Sequence, residues 1–191
     1  MILQKIYRKL RHRKGDGIHS PFVYDLITHV FEEQLPFYAF EEIENKQASR
    51  ITCTKNYGRL LFRLVNYLRC KSVIELGTNK NIYIEKALPQ KGASYSISEK
   101  LPDGLSPVDM IVISQYQDEL NIEKLFMLID TNSVIIIDNI AQKGHNKELW
   151  ESLRTCKQVS VSIDLYSVGL LFFNKKITNK HYKLYYNYGK K

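Results

Sequence analysis

The residues best placed to do chemistry lie in one short run, Val73-Ile-Glu-Leu-Gly-Thr78, where a β-branched strand pattern ends on an acid and a glycine. Glu75 could accept hydrogen bonds from a ligand's ammonium or hydroxyl groups. Gly77, lacking a Cβ, would let backbone approach that ligand closely. Glu99 follows the next expected strand, where open α/β sheets place an acid against ribose hydroxyls. The plainer alternatives are a solvated acid at a strand end and an ordinary turn glycine. His145 follows Gly144 near a later strand end and could act as a general base, or could simply be a surface histidine preceding a helix. Asp164 reads as a turn residue, Trp150 as core, and Cys70 and Cys156 as small apolar fillers with no adjacent base to activate a thiolate.

The elements that must position these side chains follow from hydrophobic spacing. In residues 2–14, Leu3, Ile6, Tyr7 and Leu10 form an apolar stripe on a basic helix that Gly15 and Gly17 stop. Ser20 and Pro21 open a second helix over 22–34, as N-cap and first helical residue. A third is expected over 38–50 and a fourth over 58–68. From residue 72 onward short β-branched runs alternate with helices. Strands are expected at 72–76, 93–98, 108–113 and 133–138, with helices at 79–88, 121–130 and 146–156. Residues 159–164 and 169–173 are too close together for a crossover, so they should pair as an antiparallel hairpin. Residues 181–188 could add a last, exposed strand. This alternation predicts an α/β fold with a mostly parallel sheet. The organisation expected is a helical segment, 1–70, packed on an α/β domain, 71–191, as a single globular unit.

Composition narrows the function classes. With 191 residues, 44% hydrophobic and 25% charged, the chain is ordinary globular material for one domain. Its longest apolar run, about residues 168–173, is far below the ~20 residues of a membrane span. No apolar stretch suits a signal peptide, and three scattered cysteines describe neither a disulfide framework nor a zinc site; a reducing cytoplasm is the expected location. The net charge of +8 is uneven. Residues 1–14 and 174–191 each carry six bases and no acid, whereas the body between them holds sixteen bases against twenty acids. The lysine and tyrosine mixture of the last segment could track a nucleic acid, but lysines guarding an edge strand explain it as simply. The basic face of the first helix likewise reads as solvated.

Taken in order, His19-Ser-Pro-Phe-Val-Tyr-Asp-Leu26, Val73-Ile-Glu-Leu-Gly-Thr78, Ser133-Val-Ile-Ile-Ile-Asp138, Val161-Ser-Ile-Asp-Leu165 and Gly169-Leu-Leu-Phe-Phe173 resemble a bacterial family of class I S-adenosylmethionine-dependent methyltransferases, of the kind common in Bacteroidetes. The resemblance spans about residues 5–186. It implies a seven-stranded Rossmann-like sheet ending in an antiparallel hairpin. It also implies S-adenosylmethionine as cofactor, with Glu75, Gly77 and Thr78 along its methionine part and Glu99 at its ribose. No catalytic residue is implied, and the methyl acceptor would be an unidentified small molecule.

The chain departs from that pattern in three places. The turn 77–82 has one glycine, with Lys80 or Asn81 standing where bare backbone usually faces the ligand; Asn81 tolerates positive φ better than most residues. From Gly77 to Asp109 there are 32 residues, whereas three helices and two strands need about 60. One helix and one strand fit, so an edge strand and a neighbouring helix should be missing, and with them part of the adenine pocket. Asp138-Asn139 resembles the metal-binding pair of cation-dependent O-methyltransferases. Ser114 stands where a further aspartate is expected, and a hard cation needs more oxygens than one turn supplies, so no metal is expected. The alternative to an enzyme is therefore a non-catalytic, degenerate relative serving as a binding or interaction protein, and a third reading is a polyanion-binding module. The sequence does not specify an oligomeric state.

Overall fold

A computed structural model of the chain describes residues 15–33, 35, 37–104, 106–114, 120–177 and 180–186. The basic helix expected at 2–14 lies outside the described residues, as do the last two positions of the strand expected at 181–188. The chain divides into two compact units. One holds the described residues up to Cys70, with Lys80–Ala93 and the C-terminal residues from Tyr185; the other holds Lys71–Asn79 and Ser94–Leu184.

The first unit is helical. Helix α1 (Pro21–Leu26) starts as expected: the Ser20 hydroxyl accepts from Val23 N at 3.4 Å and proline occupies the first turn. It runs on through a π-helical turn, Ile27–Phe31, so that Val23, Leu26, Ile27, Val30 and Phe31 are buried. Helix α2 (Tyr38–Glu41) also continues as a π turn, Glu42–Lys46. Helix α3 (Lys55–Leu68) begins three residues earlier than its apolar stripe suggested, because Thr54 caps it by accepting from Tyr57 N. Gly58 thereby falls inside the helix. A Cβ there would meet the Tyr83 ring, on helix α4 (Ile82–Ala87), at 2.2 Å. Asn81 has φ −85° and is the N-cap of α4, its Oδ1 accepting from Tyr83 N at 3.0 Å. Its tolerance of positive φ is therefore not used.

The partly buried Glu44 carboxylate ties these helices together. It accepts from Arg59 Nε and Nη2 at 2.7 and 2.8 Å and from the Tyr83 hydroxyl at 3.2 Å, with Lys55 Nζ at 3.4 Å. Burial works to raise the Glu44 pKa, but the Arg59 fork, Lys55 and Tyr83 together hold it below the ordinary carboxylate value.

The second unit is a seven-stranded sheet in the order β2-β1-β3-β4-β6-β5-β7. The strands are β1 (Ser72–Leu76), β2 (Ser94–Ser98), β3 (Met110–Ile113), β4 (Val134–Ile137), β5 (Val161–Asp164), β6 (Gly169–Phe172) and β7 (Lys180–Lys183). Strands β2, β1, β3 and β4 are mutually parallel, β6 runs antiparallel between β4 and β5, and β7 lies parallel to β5 at the edge. The 77–109 interval holds one helix and one strand, α4 and β2, as its length required. Among the described residues no strand lies outside β2. The seventh strand is instead β7, at the opposite edge, where Lys180 and Lys183 face solvent.

Strands β3 and β4 are buried at every position, which is why they read as continuous apolar runs. On one sheet face Ile74, Leu76, Ile111, Ile113, Ile135 and Ile137 pack with Leu125 of helix α5 (Ile122–Met127) and with Trp150 and Leu153 of helix α6 (His145–Leu153). Trp150 is core, and Gly169 exists to admit it: a Cβ on Gly169 would meet the indole at 2.3 Å. At the amino end, Asp109 Oδ2 accepts from Lys71 N, Ser72 N and Ser72 Oγ at 2.7, 2.8 and 3.0 Å, locking β1 to β3. No described helix is long and apolar enough to cross a membrane.

Candidate functional site

The parallel register brings the expected site residues to one end of the sheet. Leu76 pairs with Ser98 and Ile113, and Ile113 with Ile137, so the carboxyl ends of β2, β1, β3 and β4 form one row. Gly77 N donates to Ser98 O, Ser114 N to Leu76 O and Asp138 N to Ile113 O, at 3.0 to 3.1 Å, carrying the ladder one residue further. Glu75, Gly77, Thr78 and Glu99 therefore all stand at or just past this row.

Their environments differ sharply. Glu75 is only 2% exposed. Side chains alternate along strands, so Tyr95 (paired with Val73), Ile97 and Val112 (paired with Glu75) and Ser114 share its face. Tyr95 OH donates to Glu75 Oε2, and Ser114 Oγ donates to Glu75 Oε1 at 3.0 Å. Both carboxylate oxygens thus have an internal hydroxyl donor. Gly77 is buried behind them, whereas Thr78 is exposed and accepts from Asn79 Nδ2 at 3.1 Å. Glu99 is exposed in the bend after β2.

Sequence reasoning missed Tyr95 as a partner of Glu75, and considered Ser114 only as the replacement of an aspartate. The signal was present in the alternation of β2: once Ile97 lies beside Glu75, Tyr95 is its diagonal neighbour, within reach of a long side chain.

The Asp138-Asn139 turn is built from its own backbone. Asn139 has φ 56°, a left-handed conformation that asparagine tolerates, and its N–H donates to Asp138 Oδ1 at 2.8 Å. Asn146 Nδ2 bridges Asp138 O and Ser114 O at 2.9 and 3.3 Å, fastening the ends of β3 and β4. Among the described residues no group of three histidine, cysteine or acidic side chains is placed to hold a metal ion. His145 is exposed at the first position of α6. Asp164 closes the β5–β6 turn by accepting from Tyr166 N at 2.6 Å.

No protein-family model and no curated protein matches the chain. Solved structures do. A methyltransferase from Geobacter sulfurreducens superposes with a TM-score of 0.51 at 13% identity, covering 74% of this chain and 92% of its own. The O-methyltransferase TomG from Streptomyces achromogenes, in complex with SAM, covers 79% of this chain and 94% of its own at 13% identity and a TM-score of 0.45. An O-methyltransferase from Bacillus cereus, in complex with SAH, covers 76% and 96% at 13% identity and a TM-score of 0.47. The first of these establishes the likeness: the chain has a methyltransferase-like α/β fold.

Proposed function

We propose that the carboxyl end of β1–β3 binds S-adenosylmethionine and that the chain transfers its methyl group to a small acceptor. The observation that carries this reading is Glu75: a buried carboxylate at the penultimate position of β1, two residues before Gly77, with the acid Glu99 past the adjacent strand β2. The residues fit the charged end of such a ligand. A carboxylate accepts about four hydrogen bonds, so Tyr95 and Ser114 do not by themselves exhaust Glu75. Glu75 would take the ligand ammonium, Gly77 and Thr78 would lie along its backbone-like portion, and Glu99 would meet ribose hydroxyls. When bound, the donor supplies an electrophilic methyl on a sulfonium. The chain's part is to hold that donor and the acceptor in line, a contribution that requires no general base.

A second reading is supported by the same carboxylate. If Tyr95 and Ser114 keep Glu75 for themselves, and no strand outside β2 completes an adenine wall, the chain is a non-catalytic relative that retains the fold for binding. Calorimetric and thermal titration with S-adenosylmethionine and its demethylated product separates the two. A ligand at a hundredfold its Kd stabilises by about 2.7 kcal/mol, which for a chain of this size raises Tm by about 5–10 °C. The enzyme reading expects that shift in the wild type and its loss in Glu75→Gln. No heat and no shift at millimolar ligand selects the non-catalytic reading.

A further inference from the structure

At the opposite end of the sheet, on its outer edge, a cavity of about 300 Å³ lies between β5, β7 and the chain leaving α6. Val161 pairs with both Phe172 and Lys180, in the row that contains Val134, Met110 and Val73. The cavity therefore sits at the amino ends of the parallel strands, a sheet length from Glu75. Its lining residues include Arg154, Lys157, Lys180 and His181, with Ser160 and Ser162, and no acid.

The hydroxyls and the charges play different parts there. Ser160 Oγ donates to Phe172 O at 3.0 Å, and Thr155 Oγ1 to Ser152 O at 2.9 Å. Those protons are committed, and Thr155 covers a carbonyl at the end of α6 that would otherwise repel an anion. Ser162 Oγ and His181 Nδ1 hydrogen bond at 2.9 Å, which fixes the imidazole and leaves Nε2 as its outward nitrogen. Arg154 is oriented by Glu151, which accepts from both Nε and Nη2, so Nη1 remains to donate. Glu151 offsets the arginine charge, whereas Lys157 is exposed and, among the described residues, has no carboxylate partner. Lys180 Nζ lies 5.4 Å from the ring centre of Tyr182, two residues along β7 and so on the opposite face from His181; Lys180 borders the cavity through its backbone, its N–H donating to Ser160 O at 3.0 Å. Two cationic side chains and one histidine thus line a space at the small end of the range for ligand pockets.

We propose that this cavity is a binding site for a phosphate- or sulfate-type oxyanion carried by a small molecule, held by Arg154, Lys157 and His181. The surroundings of His181 agree. Burial first, then Arg154 and Lys183, push its pKa below the ordinary value, against the opposing pull of Asp164 and Glu151. A dianion seated beside it reverses that push, so binding takes up a proton and strengthens as pH falls.

The probe is sulfate, whose charge is constant between pH 5 and 8, titrated by NMR or calorimetry at fixed ionic strength with the full-length chain. Saturable binding to the wild type is expected, weakened about tenfold or more in the double variant Arg154→Gln/Lys157→Gln. The exposed pair Lys175 and Lys176 lies outside the lining. Lys175→Gln/Lys176→Gln therefore removes the same net charge and should bind as the wild type does. His181→Gln should abolish the strengthening of binding at low pH. Equal weakening by both double variants would reduce the effect to general electrostatic attraction and overturn the site. So would unchanged binding in the cavity variant, or no saturable binding to the wild type.

Discussion

At the residue scale, Glu75 decides how the molecule is read. It is a carboxylate with a hydroxyl donor on each oxygen, and hydrogen bonds to a charged acceptor are each worth about 1.5–3 kcal/mol. Tyr95→Phe removes one donor and should lower stability by an amount in that range, measured by urea unfolding. It also removes a competitor for Glu75 Oε2. If a donor ligand uses the carboxylate, Tyr95→Phe should bind S-adenosylhomocysteine more tightly than the wild type; unchanged affinity would mean that Tyr95 and ligand do not compete. Glu99, by contrast, is exposed beyond β2.

At the scale of elements, the hairpin β5–β6 carries the distinctive topology, and Gly169 is its vulnerable point. Strand β6 passes beneath Trp150, whose ring occupies the space of a Cβ. Gly169→Ala must displace a buried indole or bend a central strand, an overpacking cost of about 1–3 kcal/mol. The chain has one tryptophan, so its fluorescence reports the displacement directly while urea unfolding measures the cost. The beginning of α1 was legible because Ser20 and Pro21 mark it. Other helix limits were not. The continuations of α1 and α2 as π turns and the early start of α3 depend on packing and on Thr54, which the apolar spacing does not report.

For the whole molecule, two partly buried carboxylates, with Glu42 beside Lys86, shape the expected response to acid. Asp109 resembles Glu44: burial works to raise its pKa, but the Lys71 and Ser72 amides and the Ser72 hydroxyl hold it below its ordinary value. A group whose pKa is lowered on folding binds fewer protons folded than unfolded, so stability rises with pH through that interval. The contributions of Glu44 and Asp109 are complete above their ordinary values near 4.5 and 3.8, and are lost as pH falls through the lowered ones. Tm measured from pH 6 downward should therefore drop below about pH 4.5, and Asp109→Asn should flatten that drop. A Tm independent of pH in this range would contradict both assignments. Falling pH also adds to a chain already at +8, in the same direction.

The sequence by itself determined the local alternation of strands and helices, the buried character of β3 and β4, the antiparallel hairpin, the shortened 77–109 interval and the end of the sheet where Glu75 and Gly77 stand. All of these depend on residues near one another in the chain, whose periodicity, caps and loop lengths are set by short-range sterics and hydration. Only the tertiary structure decided that β6 inserts between β4 and β5, that the seventh strand guards the far edge, that Tyr95 and Ser114 claim Glu75, and that His181 lines one cavity with Arg154 and Lys157. Those residues are separated by tens of positions. Their meeting follows from strand order and register, which are fixed when the sheet forms as a whole and not by any one segment of the chain.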